Sequence, residues 1–151
     1  MTIEEKRKQA DSMSEGRSLF AVHKEILSAR LFAHIAELPS QELRTDVLRA
    51  LQEPGKLLAA QTDGSSVPAG VWSLLTFLVA EHVAPNLDVL QAATTAIAIE
   101  CFLCGLDLFD DVEDNDRTPV IEDLGMARAN NTATVLFTLA FRALRLSLIH
   151  I

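Results

Sequence analysis

The stretch Leu106-Asp107-Leu108-Phe109-Asp110-Asp111-Val112-Glu113-Asp114 joins the end of a long apolar segment to a cluster of carboxylates. On a helix, four of its aspartates stand at i, i+3, i+4 and i+7 and share one face: Asp107, Asp110, Asp111 and Asp114. Like charges at this spacing destabilise a helix by about 0.2–0.5 kcal/mol per pair in water, and more where the dielectric falls. Because Mg²⁺ prefers carboxylate and phosphate oxygens, we predict a magnesium site here.

Composition favours an all-α protein. The 151 residues are 49% hydrophobic and 5% aromatic, without tyrosine, and leucine and alanine favour helices. The net charge of −8, without a basic stripe, argues against a nucleic-acid partner. Residues 1–8 lead into no apolar signal region, and no charge-free apolar run reaches the roughly 20 residues of a transmembrane helix. We predict a soluble, cytoplasmic chain without a transmembrane segment.

Hydrophobic periodicity predicts an antiparallel helical bundle. The third predicted helix is apolar nearly all round, so we place it at the centre with Trp72 in the core. Ser40 and Asn86 are the expected N-caps of the second and fourth helices. The helices are predicted from Glu15 to Pro39, from Ser40 to Pro54, over Gly70–Val83, over Leu87–Val112, and from Ile121 onward, with a loop at 61–68.

Two pairs of residues are possible metal or redox ligands. His23 and His34 lie on the first helix, where we expect partly exposed histidines rather than ligands. Cys101 and Cys104 form a C-x-x-C, but no second pair completes a zinc site, so we predict two small core residues.

The pattern of the last helix stops without a cap in Leu146-Ser147-Leu148-Ile149-His150-Ile151. These residues resemble the translation of a common sequencing-library adapter end. We predict that 1–145 is natural sequence and that 146–151 is a non-native tail.

The carboxylate stretch also carries a family resemblance. Asp110-Asp111-Val112-Glu113-Asp114 matches D-D-x-x-D, and Glu100 stands ten residues before its first aspartate. Arg117-Thr118-Pro119 follows, and Gly125 precedes the next long helix. In these features the chain resembles the trans-isoprenyl diphosphate synthases, also called polyprenyl synthetases, with useful register from 70 to 145. The resemblance implies that 1–145 is the N-terminal half of an isoprenoid-synthase-type domain.

The resemblance implies a Mg²⁺-dependent prenyltransferase that condenses an allylic diphosphate with isopentenyl diphosphate, in a family that tends to form homodimers. The catalytic, metal-binding residues would be Asp110, Asp111 and Asp114. The substrate-binding candidates are Arg117, Glu100, Asp107 and Lys56. Product length would depend on Gly105 and Leu106, where the small Gly105 would leave room for a longer chain.

The chain departs from the family in its basic residues. The G-G-K-R-x-R-P motif that binds isopentenyl diphosphate should precede the third helix, but the sequence there reads Val67-Pro68-Ala69-Gly70-Val71-Trp72-Ser73. The only G-K is Gly55-Lys56, much earlier. The second aspartate-rich motif would lie beyond residue 151. We therefore expect these residues alone to be inactive.

Three other interpretations stay open. An EF-hand would use Asp111, Glu113, Asn115 and Glu122, but Asp116 stands where the loop needs glycine. A class I terpene cyclase shares the fold and metal motif and needs no isopentenyl diphosphate site. A non-catalytic helical interaction module would leave the acidic helix end as a solvated surface.

Overall fold

The computed structural model describes residues 21–60 and 69–149, with side chains as far as Arg145. This part of the chain is all-helical, which confirms the predicted fold class of an antiparallel helical bundle. The first helix, α1, covers residues 21–36 of the described chain. The others are α2 (Gln41–Leu51), α3 (Val71–Val83), α4 (Val89–Glu113), α5 (Pro119–Leu124) and α6 (Met126–Ile149). The polar start expected at 1–14 and the loop expected at 61–68 lie outside the described residues.

The central helix is α4, which packs most extensively against α6 and next against α3. Many of the buried side chains of α4 and α6 are alanines, and these let the two helix axes approach closely. At Gly105 an added Cβ would lie 3.1 Å from the Phe137 ring and 3.2 Å from the Ala133 carbonyl oxygen. This glycine is therefore part of the α4–α6 contact. The buried alanines are Ala92, Ala93, Ala96 and Ala98 of α4 and Ala129, Ala133, Ala140 and Ala143 of α6.

Among the described residues, α4 is also the one helix long and apolar enough to cross a membrane by length and composition. More than half of its most apolar window, 56%, is buried inside the protein. The core helix of a helical bundle can pass the same test of length and composition.

Side-chain caps fix the start of two helices. Ser40 caps α2 as predicted, and its hydroxyl accepts a hydrogen bond from the Leu43 N–H at 3.1 Å. The cap of α4 is Asp88, whose carboxylate accepts from the Leu90 N–H at 3.0 Å. The prediction of Asn86 as that cap is wrong, because the helix begins at Val89 rather than Leu87.

The prediction that α3 is central to the bundle is also wrong. One side of α3 carries Leu74 and Phe77, which are 3% and 0% exposed. The other side is open, and Trp72, expected in the core, is 60% exposed. A helix that is apolar all round gives no signal of which side its neighbours cover. The exposed α3 residues are Trp72, Leu75, Leu78, Val79 and Val83.

Both histidines of α1 are buried rather than partly exposed. The Nε2 atom of His23 lies 3.1 Å from a Glu81 carboxylate oxygen, and its ring packs edge-on against Phe77 at 5.0 Å between centroids. His34 is 5% exposed, and neither of its ring nitrogens has a hydrogen-bond partner. Burial, reinforced by the charges of Arg30 and Arg142, lowers the pKa of His34, which favours the neutral ring.

The segment predicted as one last helix from Ile121 is divided in two. Gly125 lies between the short α5 and the long α6. Its φ of 74° is a backbone conformation that residues other than glycine rarely adopt. Pro119 occupies the first turn of α5, where its missing N–H removes no helical bond. Together these two residues turn the chain from the end of α4 back along the bundle.

Candidate functional site

A cavity of about 350 Å³ lies beside the carboxyl-terminal part of α4. Three of the four predicted aspartates line it: Asp107, Asp110 and Asp111. Opposite them are residues from the end of α2, from the following turn and from α5. Asp107, Asp110 and Asp111 therefore border this half-open cavity, although Asp107 and Asp110 are also exposed to solvent. The remaining lining residues are Ala50, Glu53, Pro54, Lys56, Cys104, Leu108 and Val120.

Lys56 supplies a positive charge to this cavity. Its ammonium forms an ion pair with Asp107; the Lys56 side chain is 18% exposed and that of Asp107 64%. Burial works to lower the pKa of Lys56, but the hydrogen bond with Asp107 and the charges of Cys104, Asp107 and Glu100 together raise that pKa overall. Lys56 is therefore a fixed cation at the wall of an otherwise acidic cavity.

Asp111 is the least exposed of the aspartates on this face. Its carboxylate accepts a hydrogen bond from the Thr118 hydroxyl at 3.2 Å. Burial raises the pKa of Asp111, and the charges of Asp116, Asp107 and Asp110 raise it further against the effect of Thr118. Crowding of like charges thus acts on a carboxylate that faces the cavity, and a bound cation would relieve it.

Asp110 and Asp114 are both exposed, but they differ in position. Asp110 lines the cavity, whereas Asp114 does not. Asp114 is the C-cap of α4, and its backbone N–H donates to the Asp110 carbonyl oxygen at 2.9 Å. The next residue, Asn115, adopts φ 56°, so the chain turns away from the helix axis directly after the motif.

The chemistry of the donors suits Mg²⁺. Within residues 21–60 and 69–145, no group of three or more histidine, cysteine, aspartate or glutamate side chains is arranged to hold a metal ion. Mg²⁺ keeps several waters and commonly takes one or two carboxylates together with phosphate oxygens. Asp110 and Asp111 can supply those two carboxylates at one cavity wall, so the residues present fit the ion.

The predicted substrate-binding residues divide into two groups. Asp107 and Lys56 line the cavity, whereas Glu100 and Arg117 do not. Arg117 is exposed in the turn between α4 and α5. Glu100 is 4% exposed, and its carboxylate accepts a hydrogen bond from the Leu57 backbone N–H at 2.6 Å. Burial raises the pKa of Glu100 against the effects of this bond and of a hydrogen bond with Ser73.

The predicted product-length residues also differ in their surroundings. The space next to Gly105 is filled by Phe137 and the α6 backbone, so this glycine does not leave room for a longer chain as expected. Leu106 is 42% exposed and lies on the surface of α4.

Sequence reasoning missed an exposed aromatic strip on α4 and α6. It consists of Phe102, Phe109, Phe137 and Phe141, and the Phe102 ring lies 5.6 Å from that of Phe137 and 6.5 Å from that of Phe141. Phe109 and Phe141 are 38% and 62% exposed. The signal available was the i, i+4 spacing of Phe137 and Phe141. The sequence analysis also did not predict Glu53, which lines the cavity. Its i, i+4 spacing from Arg49 indicates only an ion pair at the end of a helix.

Two other sequence interpretations are decided by the geometry. Cys101 and Cys104 are both 2% exposed and belong to the core, as predicted. The EF-hand interpretation is not favoured by the geometry, because Asp111 and Glu113, its loop positions 1 and 3, lie within α4 rather than in a loop.

In comparisons with known proteins, no protein-family model, curated protein or solved structure matches this chain. The resemblance to the polyprenyl synthetases stays a prediction that depends on the motif residues.

Proposed function

We propose that this site serves Mg²⁺-dependent prenyl transfer, in which an allylic diphosphate is condensed with isopentenyl diphosphate. The observation that carries the proposal is the convergence of Asp107, Asp110 and Asp111 on one cavity that also contains Lys56. Oxygen ligands for a hard cation and a fixed ammonium together fit a metal-bound diphosphate.

In this proposal Asp110 and Asp111 would hold Mg²⁺ at the cavity wall, whereas Asp114, the third aspartate of the family pattern, lies outside the cavity lining. Bound Mg²⁺ would neutralise the diphosphate leaving group as a Lewis acid. Lys56 binds diphosphate oxygens as a point charge, because its ammonium is already held at the cavity wall. Asp111 stays oriented through the Thr118 hydroxyl.

An apolar surface lies on another face of α4, outside the lining of the cavity. Leu106 and Phe109 are 42% and 38% exposed and lie on the same helix as the aspartates. The strip continues through Phe102 to Phe141 of α6. Because none of these residues lines the cavity, a prenyl tail would have to extend around α4 to reach the strip.

Binding rather than turnover tests the proposal, because these 151 residues do not include the second aspartate-rich motif of the family. We would titrate the chain with inorganic pyrophosphate and with dimethylallyl diphosphate by calorimetry, with and without Mg²⁺. We expect Mg²⁺ to strengthen both, and Asp110→Asn or Asp111→Asn to remove most of that gain, about tenfold or more. Ca²⁺ alone should not replace Mg²⁺.

The matched control is Asp88→Asn, the same substitution at the other end of α4, where asparagine can still cap the helix. Its diphosphate binding should equal that of the unmodified chain. Equal binding by all three variants, or binding independent of Mg²⁺, would contradict the proposal.

The exposed face of α3 favours a second candidate, a non-catalytic helical interaction module. Trp72 and Val83, 60% and 74% exposed, lie at its two ends. Contiguous apolar surface of this kind marks interaction sites. Absence of Mg²⁺-dependent diphosphate binding would leave this candidate as the better one.

A further inference from the structure

The buried carboxylate of Glu100 does not line the cavity and instead has hydrogen bonds with the Leu57 backbone and the Ser73 side chain. Its Oε1 accepts a hydrogen bond at 2.6 Å from the N–H of Leu57, the residue that follows Lys56. A buried carboxylate destabilises a fold unless hydrogen bonds compensate its lost hydration. Ser73 of α3 and the turn that carries Lys56 together provide that compensation, and the Leu57 bond joins helix and turn at this point.

The turn has further attachments on both sides of Lys56. The Gly70 N–H donates to the Gly55 carbonyl oxygen at 2.9 Å, and the Leu58 N–H donates to the Leu51 carbonyl oxygen at 3.1 Å. At Gly70, φ is 68° and an added Cβ would lie 2.9 Å from the Leu57 Cα, so only glycine permits this approach. Glu100 adds a backbone contact between the turn and α4, beside the side-chain ion pair of Lys56 with Asp107.

The spacing on α4 shows why this attachment matters for the cavity. Glu100, Cys104, Asp107 and Asp111 stand at i, i+4, i+7 and i+11, on one face of the helix. Glu100 therefore holds the Leu57 backbone about two turns before the point where the Lys56 ammonium meets Asp107. Because both contacts are made to one rigid helix, the first determines where the second can form.

We propose that Glu100 is a positioning residue, which holds the turn at 55–58 against α4 so that the Lys56 ammonium stays at the cavity wall. The diphosphate affinity that follows from this arrangement rests on the proposed function. The position of Lys56 does not rest on it and can be measured without any ligand.

The ligand-free test is carbodiimide coupling of Lys56 to Asp107, followed by mass spectrometry. This reagent joins an amine to a carboxylate only where the two groups touch. We expect the cross-link in the unmodified chain and in Glu100→Gln, whose amide oxygen still accepts the Leu57 N–H. Glu100→Met keeps the side-chain length but has no strong acceptor, and it should reduce the yield by about fivefold or more. An unchanged yield in a folded Glu100→Met would overturn the proposal.

A binding cycle separates positioning from a general structural role. Inorganic pyrophosphate affinity, measured without metal, should fall in Glu100→Met by about as much as in Lys56→Met, and the double variant should lose nothing more. Additive losses would mean that Glu100 acts independently of Lys56, and would refute the positioning role.

If Glu100→Met does not fold, the proposal is tested by hydrogen exchange of the unmodified chain and of Glu100→Gln. The Leu57 amide should exchange slowly in the unmodified chain and in Glu100→Gln, which should also keep pyrophosphate affinity within about twofold. Rapid Leu57 exchange in the unmodified chain would refute the inference. Failure of the unmodified chain to bind diphosphate with Mg²⁺ would overturn only the proposed function, because the cross-link and exchange results still judge Glu100.

Discussion

The orientation of α3 can be tested with two neighbouring leucines of identical chemistry. Leu74 is 3% exposed and Leu75 is 50% exposed. Truncation of a buried leucine to alanine removes its burial and leaves a cavity, at a cost of about 2–5 kcal/mol. For Leu75 about half of the 1.5–3 kcal/mol transfer term is lost, without a closed cavity, and alanine's higher helix propensity offsets part of it. We therefore expect Leu75→Ala to cost about 1 kcal/mol or less.

The assay is urea unfolding followed by circular dichroism, supported by thermal melts. A domain of this size loses about 2–4 °C of melting temperature per kcal/mol, so Leu74→Ala should melt on the order of 10 °C lower and Leu75→Ala no more than about 4 °C lower. The unfolding slope against urea should stay the same in both variants. Equal losses, or a larger loss for Leu75→Ala, would show that the open and buried sides of α3 are assigned incorrectly.

Three further predictions concern charged or titratable groups. Asp107→Asn frees the Lys56 ammonium from its ion pair. Calorimetry should then show up to about fivefold tighter binding of metal-free pyrophosphate and weaker binding of Mg²⁺. Weaker binding of both ligands would refute the roles assigned to Asp107 and Lys56. The pKa of His34 in the folded protein lies below its unfolded value near 6.5. The free energy of unfolding should therefore fall as the pH drops from 6.5 towards that lowered pKa. Urea titrations at about pH 7.5 and 5.5 should show a smaller loss for His34→Leu than for the unmodified chain. Burial raises the pKa of Cys104 to about 12, so iodoacetamide at about pH 8 should alkylate it only after denaturation, and rapid labelling of the folded chain would contradict its burial.

The sequence predicted those parts of the fold that local patterns determine. The α2 cap at Ser40 and the long apolar α4 with its acidic end follow from short-range rules, and both are present. The division at Gly125 was harder to predict, because a glycine early in a helix and a glycine between two helices look alike until φ is known.

The candidate site was predictable on α4 but not on the chain opposite it. Regular helical spacing placed Asp107, Asp110 and Asp111 on one face, and they line one cavity. The contact between Lys56 and Asp107 spans 51 residues, and that between Leu57 and Glu100 spans 43. No local pattern encodes such distant pairings, so the backbone contact of Glu100 could not be predicted from its register alone.

The burial of the α1 histidines has the same explanation. His23 is compatible with the interior because Glu81, far away in sequence, lies beside its ring. Trp72 was expected in the core but is exposed, because the described helices supply no residues that cover it. Burial of an individual side chain depends on its neighbours in space, which periodicity does not identify.

The alanine-rich contact between α4 and α6 also limits how this protein can vary. At Gly105 every substitution adds volume, and at Ala133 every substitution except glycine does so, and added volume forces two long helices apart. Changes of side-chain size are therefore expected to be tolerated at the aromatic positions on the outer surface, such as Phe109 and Phe141, where bulk can shrink or grow without moving the helical framework.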